Sequence, residues 1–327
     1  MKIIAEILSI VILLAGMASC AKTDRIYDDT KTEIAMKPVM HTPTKAIVEG
    51  TTYPTGVNFG VLAYYSSAYG DQDKWTDLTG ENAPVPYLDN QKFVTQGDGT
   101  FGGYDPCYWP HQGSLVFAGY SPYDSGTPSF NCSTKTLTIT GFVSNGQTDL
   151  MYFLPEVSDD KLVGLNSGAS SVPAAFSHAL SLVEFNVKGV DNDETVKLKG
   201  ITFKGIPHMG TLTADASGCS WDEDDLSSYD DLQVFSSDEG EVLSSETPVT
   251  ATSLVIPGTA VNIELAYDAV GVTSHPTKTG TITPENAVTE WVAGKKYIYN
   301  LTIRSGFIVI ESVTTSYIYE DESGIEI

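Results

Sequence analysis

The residues able to do chemistry in this chain are two carboxylate-rich stretches, a glycine-rich loop, five histidines and four cysteines. Asp71, Asp73 and Asp77 in DQDKWTD, and the run from Asp222 to Asp225 in WDEDD, offer the oxygen ligands that a hard cation takes. Trp75 stands at the fifth position of the first stretch and no glycine at the sixth. A calcium loop needs a ligand and a glycine there, so solvated acidic loops are expected and no metal is assigned. Gly97 to Gly102, GDGTFG, has the G-x-G-x-x-G spacing. A dinucleotide needs that loop to open a helix, whose free amides meet the pyrophosphate. Gly103-Tyr104-Asp105-Pro106 follows and cannot open one, so the stretch reads as a turn.

His41, His111, His178, His208 and His275 include no HExxH pair, and no GxSxG surrounds a serine. A triad can assemble from distant residues, but nothing marks a nucleophile, so neither an enzyme nor a cofactor is expected. His178 is expected at a strand entrance, held by hydrogen bonds. Beyond Cys20, the thiols Cys107, Cys132 and Cys219 lack CxxC spacing, which argues against zinc. One disulfide with a leftover thiol, or three free thiols, are both open.

Cys20 has a different setting. Lys2 supplies a positive n-region, and Ile7 to Ala18 an apolar run. That run is too short for a bilayer core of ~30 Å, which takes roughly 20 apolar residues. Met17-Ala18-Ser19-Cys20 resembles a bacterial lipobox. Residues 1–19 then form a signal peptide, and Cys20 carries the acyl chains (palmitate among them) of an exported lipoprotein. Each buried CH₂ of such an anchor contributes ~0.8 kcal/mol.

Eighteen basic residues face 42 acidic ones, a formal net charge of −24. Residues 1–45 are nearly balanced, with six basic and five acidic side chains, so the excess lies beyond them. Such a surface repels phosphate backbones and argues against a nucleic-acid partner. Short alternating segments rich in β-branched and aromatic residues, such as SLVFAGY, SLVEFNVKG and KKYIYNLTI, recur between turn residues. That pattern predicts an all-β fold with one buried face per sheet. PAAFSHALSL is the one candidate for a short helix. The Gly- and Ser-rich stretch from Ser158 to Ser171 places a domain boundary, giving units 46–170 and 171–327. Ser217 to Ser245 reads as a long acidic, exposed insertion.

Four phrases in this order resemble the fimbrillin family, the Mfa-like pilins of Bacteroidales that build type V pili. They are YWPHQGSLVFAGYSP, DLMYF, VPAAFSHALSLVEFNV, and LVIPG with WVAGKKYIYNLTI. Gly119, Phe153 and Gly258 depart from the family's preferences and read as packing variants. The resemblance implies two tandem transthyretin-like β-sandwich domains. It also implies a lipid-anchored precursor, cut by a trypsin-like protease that removes the first strand. The groove so exposed accepts a C-terminal strand of another pilin subunit. Residues 20–45 match such a propeptide: Ile34, Met36 and Met40 share one face of a strand that Pro38 demotes to an edge. Lys45-Ala46 stands where the family usually shows Arg-Ala, which would defeat a strictly Arg-specific protease. Val313, Thr315, Tyr317 and Tyr319 alternate in the candidate donor strand. A different class of function, a monomeric lipid-anchored protein binding glycan or host ligand, would use exposed aromatics such as Trp75 and Trp221.

Overall fold

Alternation of apolar and polar side chains at a period of two folds the chain into strands throughout. The computed structural model describes residues 32–40, 53–54, 56–67, 74–76, 78–191, 195–222, 227–270, 277–304 and 307–318. The first strands are β1 (Ala35–Met40), β2 (Phe59–Ser66), β3 (Val85–Thr95), β4 (Phe101–Gly103), β5 (Ser114–Ser121) and β6 (Thr127–Asn131). There follow β7 (Thr136–Val143), β8 (Met151–Phe153), β9 (Val157–Ser158), β10 (Lys161–Leu162) and β11 (Val172–His178). The second half holds β12 (Ser181–Lys188), β13 (Thr195–Asp215), β14 (Gly218–Trp221), β15 (Ser227–Val242), β16 (Val249–Val255) and β17 (Gly258–Thr259). Last come β18 (Ile263–Val270), β19 (Lys278–Ile282), β20 (Glu290–Trp291), β21 (Lys295–Arg304) and β22 (Phe307–Tyr317). Among the described residues there is no α-helix. The segment considered for a short helix is strand β11 running into β12.

Strands β1-β11-β8-β5-β2-β3-β4 close into a barrel, with β4 meeting β1 at the seam. Its interior is aromatic. Phe59 packs against Phe93, Phe101 and Phe176 at centroid distances of 5.8, 5.1 and 5.3 Å. Strand β5 corrects the expectation of one buried face. All eight of its residues are buried, Leu115 and Phe117 in the barrel, Val116, Ala118 and Tyr120 in a second core outside it. The outer core is roofed by the sheet β19-β18-β13-β7-β6, whose Leu137, Ile139 and Leu212 face the barrel wall. A third core lies between the four-stranded sheet β16-β12-β21-β22 and the β13–β18 region, around Phe185, Phe203, Trp291 and Tyr299. Two sheets packed across a dry interior make a β-sandwich.

The sheets do not follow the division expected at residues 170 and 171. β11 lies beyond it yet belongs to the barrel, whereas β7 lies before it yet pairs with β13. The 21-residue strand β13 explains this: its first part pairs with β18 and β15, its last part with β7 and β14. The Gly/Ser-rich stretch wraps the barrel instead, with Leu165 paired to Leu115 and Val163 to Lys74. The acidic stretch from Ser217 to Ser245 is also ordered differently than expected. It supplies β14 and β15, because Leu232 and Val234 alternate inward onto the third core while the carboxylates face out. The glycine-rich turn behaves as expected, joining β3 to β4 with Gly97 and Gly99 both at φ +86°.

Two departures from the family pattern explain each other. Gly119 is the register partner of Phe153. A Cβ at 119 would lie 2.4 Å from the Phe153 ring and 2.4 Å from the Gly60 carbonyl oxygen. The larger side chain at 153 thus adds to the Gly60 backbone in excluding a Cβ at 119. Gly119→Ala is expected to destabilise the protein by about 1–3 kcal/mol through overpacking. Pairing it with Phe153→Ala should cost less than the sum of the two, measured by urea melts of all four proteins.

Candidate assembly site

Strand β1 sits where the barrel closes. Met36 to Met40 run parallel to β11, in register with Val172 to Phe176. On its other side β1 meets β4 only at Ala35 and Met36. The expected edge strand is therefore a seam: paired on both sides at its start and on one side beyond Met36. Pro38, without an N–H, falls in the one-sided part, where a missing donor interrupts the fewest bonds. Ile34, Met36 and Met40 are buried in the aromatic core.

The residues just ahead of β1 are held by the YWP phrase. The Ile34 amide donates to the Cys107 carbonyl at 2.8 Å, and the Trp109 amide to the Thr32 carbonyl at 2.9 Å. Trp109 is itself buried edge-on against Phe117, 5.7 Å between ring centres. DLMYF and the FSHAL phrase meet across β8 and β11. There His178 Nδ1 lies 2.6 Å from Asp149 Oδ2, and the Ala179 amide donates to the Leu150 carbonyl. That pair fixes the point where the chain leaves the barrel for the second sandwich.

The Trp-Val-Ala-Gly turn locks the far side of the same junction. Trp291 donates its indole N–H to the Tyr299 hydroxyl at 3.2 Å, and the Val292 amide donates to the Tyr297 hydroxyl at 2.9 Å. Gly294, at φ +73°, gives its amide to the Leu180 carbonyl, and Ser181 Oγ donates to the Val292 carbonyl. Strand β22 is the outer edge of the four-stranded sheet, antiparallel to β21. A bulge between Asn300 and Leu301 shifts its register, so Ile308 and Ile310 pack on the core before it and Val313 after it. Thr315 and Tyr317 are exposed.

A family model described as Fimbrillin-like matches residues 44–317. The chain belongs to the fimbrillin-like family. Its fold is similar to that of a candidate cell adhesion protein from Bacteroides uniformis, with a TM-score of 0.51, 17% identity, and 87% of this chain and 98% of that one covered. A second, from Bacteroides ovatus, has a TM-score of 0.50 at 15% identity and covers 89% and 99%. No curated protein matches the chain.

Of the site residues expected in this fimbrillin-like chain, Val313, Thr315 and Tyr317 lie together on β22. Cys20, Lys45, Ala46 and Tyr319 lie outside the described residues, as do Asp71, Asp73, Asp77 and the end of the WDEDD run. Asp222 is exposed. Cys107, Cys132 and Cys219 are free thiols, which settles the alternatives left open for those three. The aromatics considered for sugar stacking are committed to packing instead. Trp75 is 2% exposed and donates to Ser114 Oγ at 2.8 Å; Trp221 donates to the Ala179 carbonyl at 3.0 Å. Sequence reasoning missed the Asp149–His178 pair, though both residues stood in quoted family phrases 29 positions apart.

Two predictions follow from this geometry. His178→Ala removes the buried imidazole that lies against Asp149 and should lower stability by roughly 1–3 kcal/mol in urea melts. Asp149→Asn should be milder, and the double variant less than additive. Burial pushes the Tyr53 and Tyr299 hydroxyls and the Cys132 thiol each up to about 12. The folded protein then keeps protons that the unfolded chain has already lost. Stability should therefore fall as pH rises through about 9 to 12, by on the order of 1 kcal/mol per pH unit for each such group. Urea midpoints measured across that range would check it.

Proposed function

We propose that the chain is the precursor of a fimbrial subunit, a non-enzymatic building block for cell adhesion. In this reading it is exported as a lipoprotein through Cys20 and held at the outer membrane. A trypsin-like protease then cuts Lys45–Ala46, and a neighbour's C-terminal segment around Val313, Thr315, Tyr317 and Tyr319 replaces β1. Two transthyretin-like sandwich units remain, 46–170 and 171–327 in outline, with β11 and β7 crossing that division. Membership in the fimbrillin-like family supports the subunit role and a cell-surface or pilus location.

One observation carries the strand-replacement reading: β1 precedes the proposed cut in the chain and closes the barrel in space. Burying Ile34, Met36 and Met40 contributes about 1.5–3 kcal/mol each. That is comparable to a typical domain's whole stability of about 5–15 kcal/mol. A cut alone therefore leaves β1 in place. It departs only as another strand takes over its pockets and its backbone partners on β11. Strand β22 is the lighter element to release, since Ile308, Ile310 and Val313 are only half-buried. That asymmetry favours a donor taken from the C-terminal end.

Trypsin treatment of the protein spanning residues 21–327 should give Ala46 as the new N-terminus, followed by slow growth of detergent-resistant multimers. Lys45→Ala and a chain truncated after Ile310 should both stay monomeric. If both polymerise like the parent, replacement of β1 by the C-terminal segment is wrong.

A further inference from the structure

Strand β6 ends the sheet β19-β18-β13-β7-β6, and a groove of about 710 Å³ lies along its open edge. Its lining includes Tyr64, Phe130 and Cys132 together with Ser129, Asn131, Thr136 and Thr138. Every described residue of the groove is uncharged, in a chain whose net charge is −24.

An open sheet edge ordinarily invites another strand. This one is blunted at two successive outward positions. Pro128 has no N–H, and a proline in an edge strand turns the missing donor away from its partner. Phe130, two residues on, points its amide the same way, where the Tyr64 hydroxyl meets it. An incoming backbone finds neither donor, so side chains decide what binds here.

Those side chains are of two kinds. Ser129 and Asn131 stand in register with Thr138 and Thr136, a flat patch of hydroxyl and amide groups that donate and accept. Beside them the half-buried Tyr64 ring is braced by Phe130, 6.0 Å away and tilted by 55°. A sugar ring presents an apolar C–H face with hydroxyls around its rim, and this pairing of an aromatic face with neutral polar groups matches both. The volume falls within the roughly 300–1,000 Å³ of small-ligand clefts. Charge narrows the class further. Burial above all, and then the Cys132 and Asp89 charges, disfavour ionisation of Tyr64, and no described basic residue lines the groove. A sialylated or sulfated sugar would meet repulsion with nothing to offset it.

We propose that the groove beside β6 is a binding site for an uncharged oligosaccharide. The proposal does not depend on strand replacement and concerns a different face of the molecule from β1 and β22.

The test applies the full chain, purified in detergent, to immobilised lactose, N-acetyllactosamine, a mannose oligosaccharide and sialyllactose. At least one neutral probe should bind, and sialyllactose should bind at least about tenfold more weakly than it. Tyr64→Ala should abolish binding. Because Tyr64 also packs, Ser129→Arg provides the independent arm: it alters an exposed position, should leave the melting curve unchanged, and should weaken binding by about tenfold or more. The proposal is overturned if no neutral probe binds at millimolar concentration, if sialyllactose binds as well, or if Ser129→Arg binds like the parent. Self-association of the parent that Ser129→Arg abolishes, without sugar binding, would make the groove a protein contact and overturn it too.

Discussion

Ile34, Met36 and Met40 are buried in one core with Phe59, Phe93 and Phe101, and that burial closes the barrel. The interior of a barrel is shared by all its strands, so β1 supports residues as distant as Phe176. The backbone holds β1 along one side only, through β11 from Met36 to Met40, since β4 pairs with it at only two residues. Side-chain pockets add the rest of the holding. A strand held mainly by pockets can be exchanged for another whose side chains fill them, whereas one bonded along both edges cannot leave without breaking two ladders.

The family phrases gain meaning from this frame. Tyr108-Trp109-Pro110 fixes the entry to β1 through the Thr32 carbonyl. Asp149 and His178 fasten the barrel's exit, and the Trp291 turn grips Leu180 and Ser181 just beyond it. Each phrase thus anchors a place where the chain enters or leaves a layer. Their aromatic and ionisable side chains face hydrogen-bond partners and core rings rather than an open pocket. Rigid junctions between layers are what these phrases have in common.

Edges are managed by charge as well as geometry. Strand β15 follows β13 through three register irregularities and carries carboxylates outward, both of which discourage pairing with another chain. β6 is blunted by Pro128 and Tyr64. A strand-rich protein needs such protection at its open sheet edges, where another chain could otherwise pair. Those edges leave the seam and the C-terminal strand as the places where exchange is least hindered.

Much of this was legible in the sequence, because a period of two fixes which side chains share a face before any partner is known. The strands, the Ile34-Met36-Met40 stripe and the turn at Gly97 to Gly102 all followed from local pattern. Which face met which neighbour did not. β5 buries both faces because a sheet covers the outside of the barrel, a fact absent from its own eight residues. The Gly/Ser-rich stretch resembled a linker, although only tertiary pairing decides whether such a segment separates two units or wraps one. Trp75 packs in the core, but its partner could not be read locally: its indole is buried against Ser114, 39 residues away. Asp149 and His178 offered two ionisable groups with no local partner; only the pairing of β8 with β11 brings them within 2.6 Å. Local periodicity is written into the chain one residue at a time, whereas long-range partners are chosen by the free energy of the whole packed core.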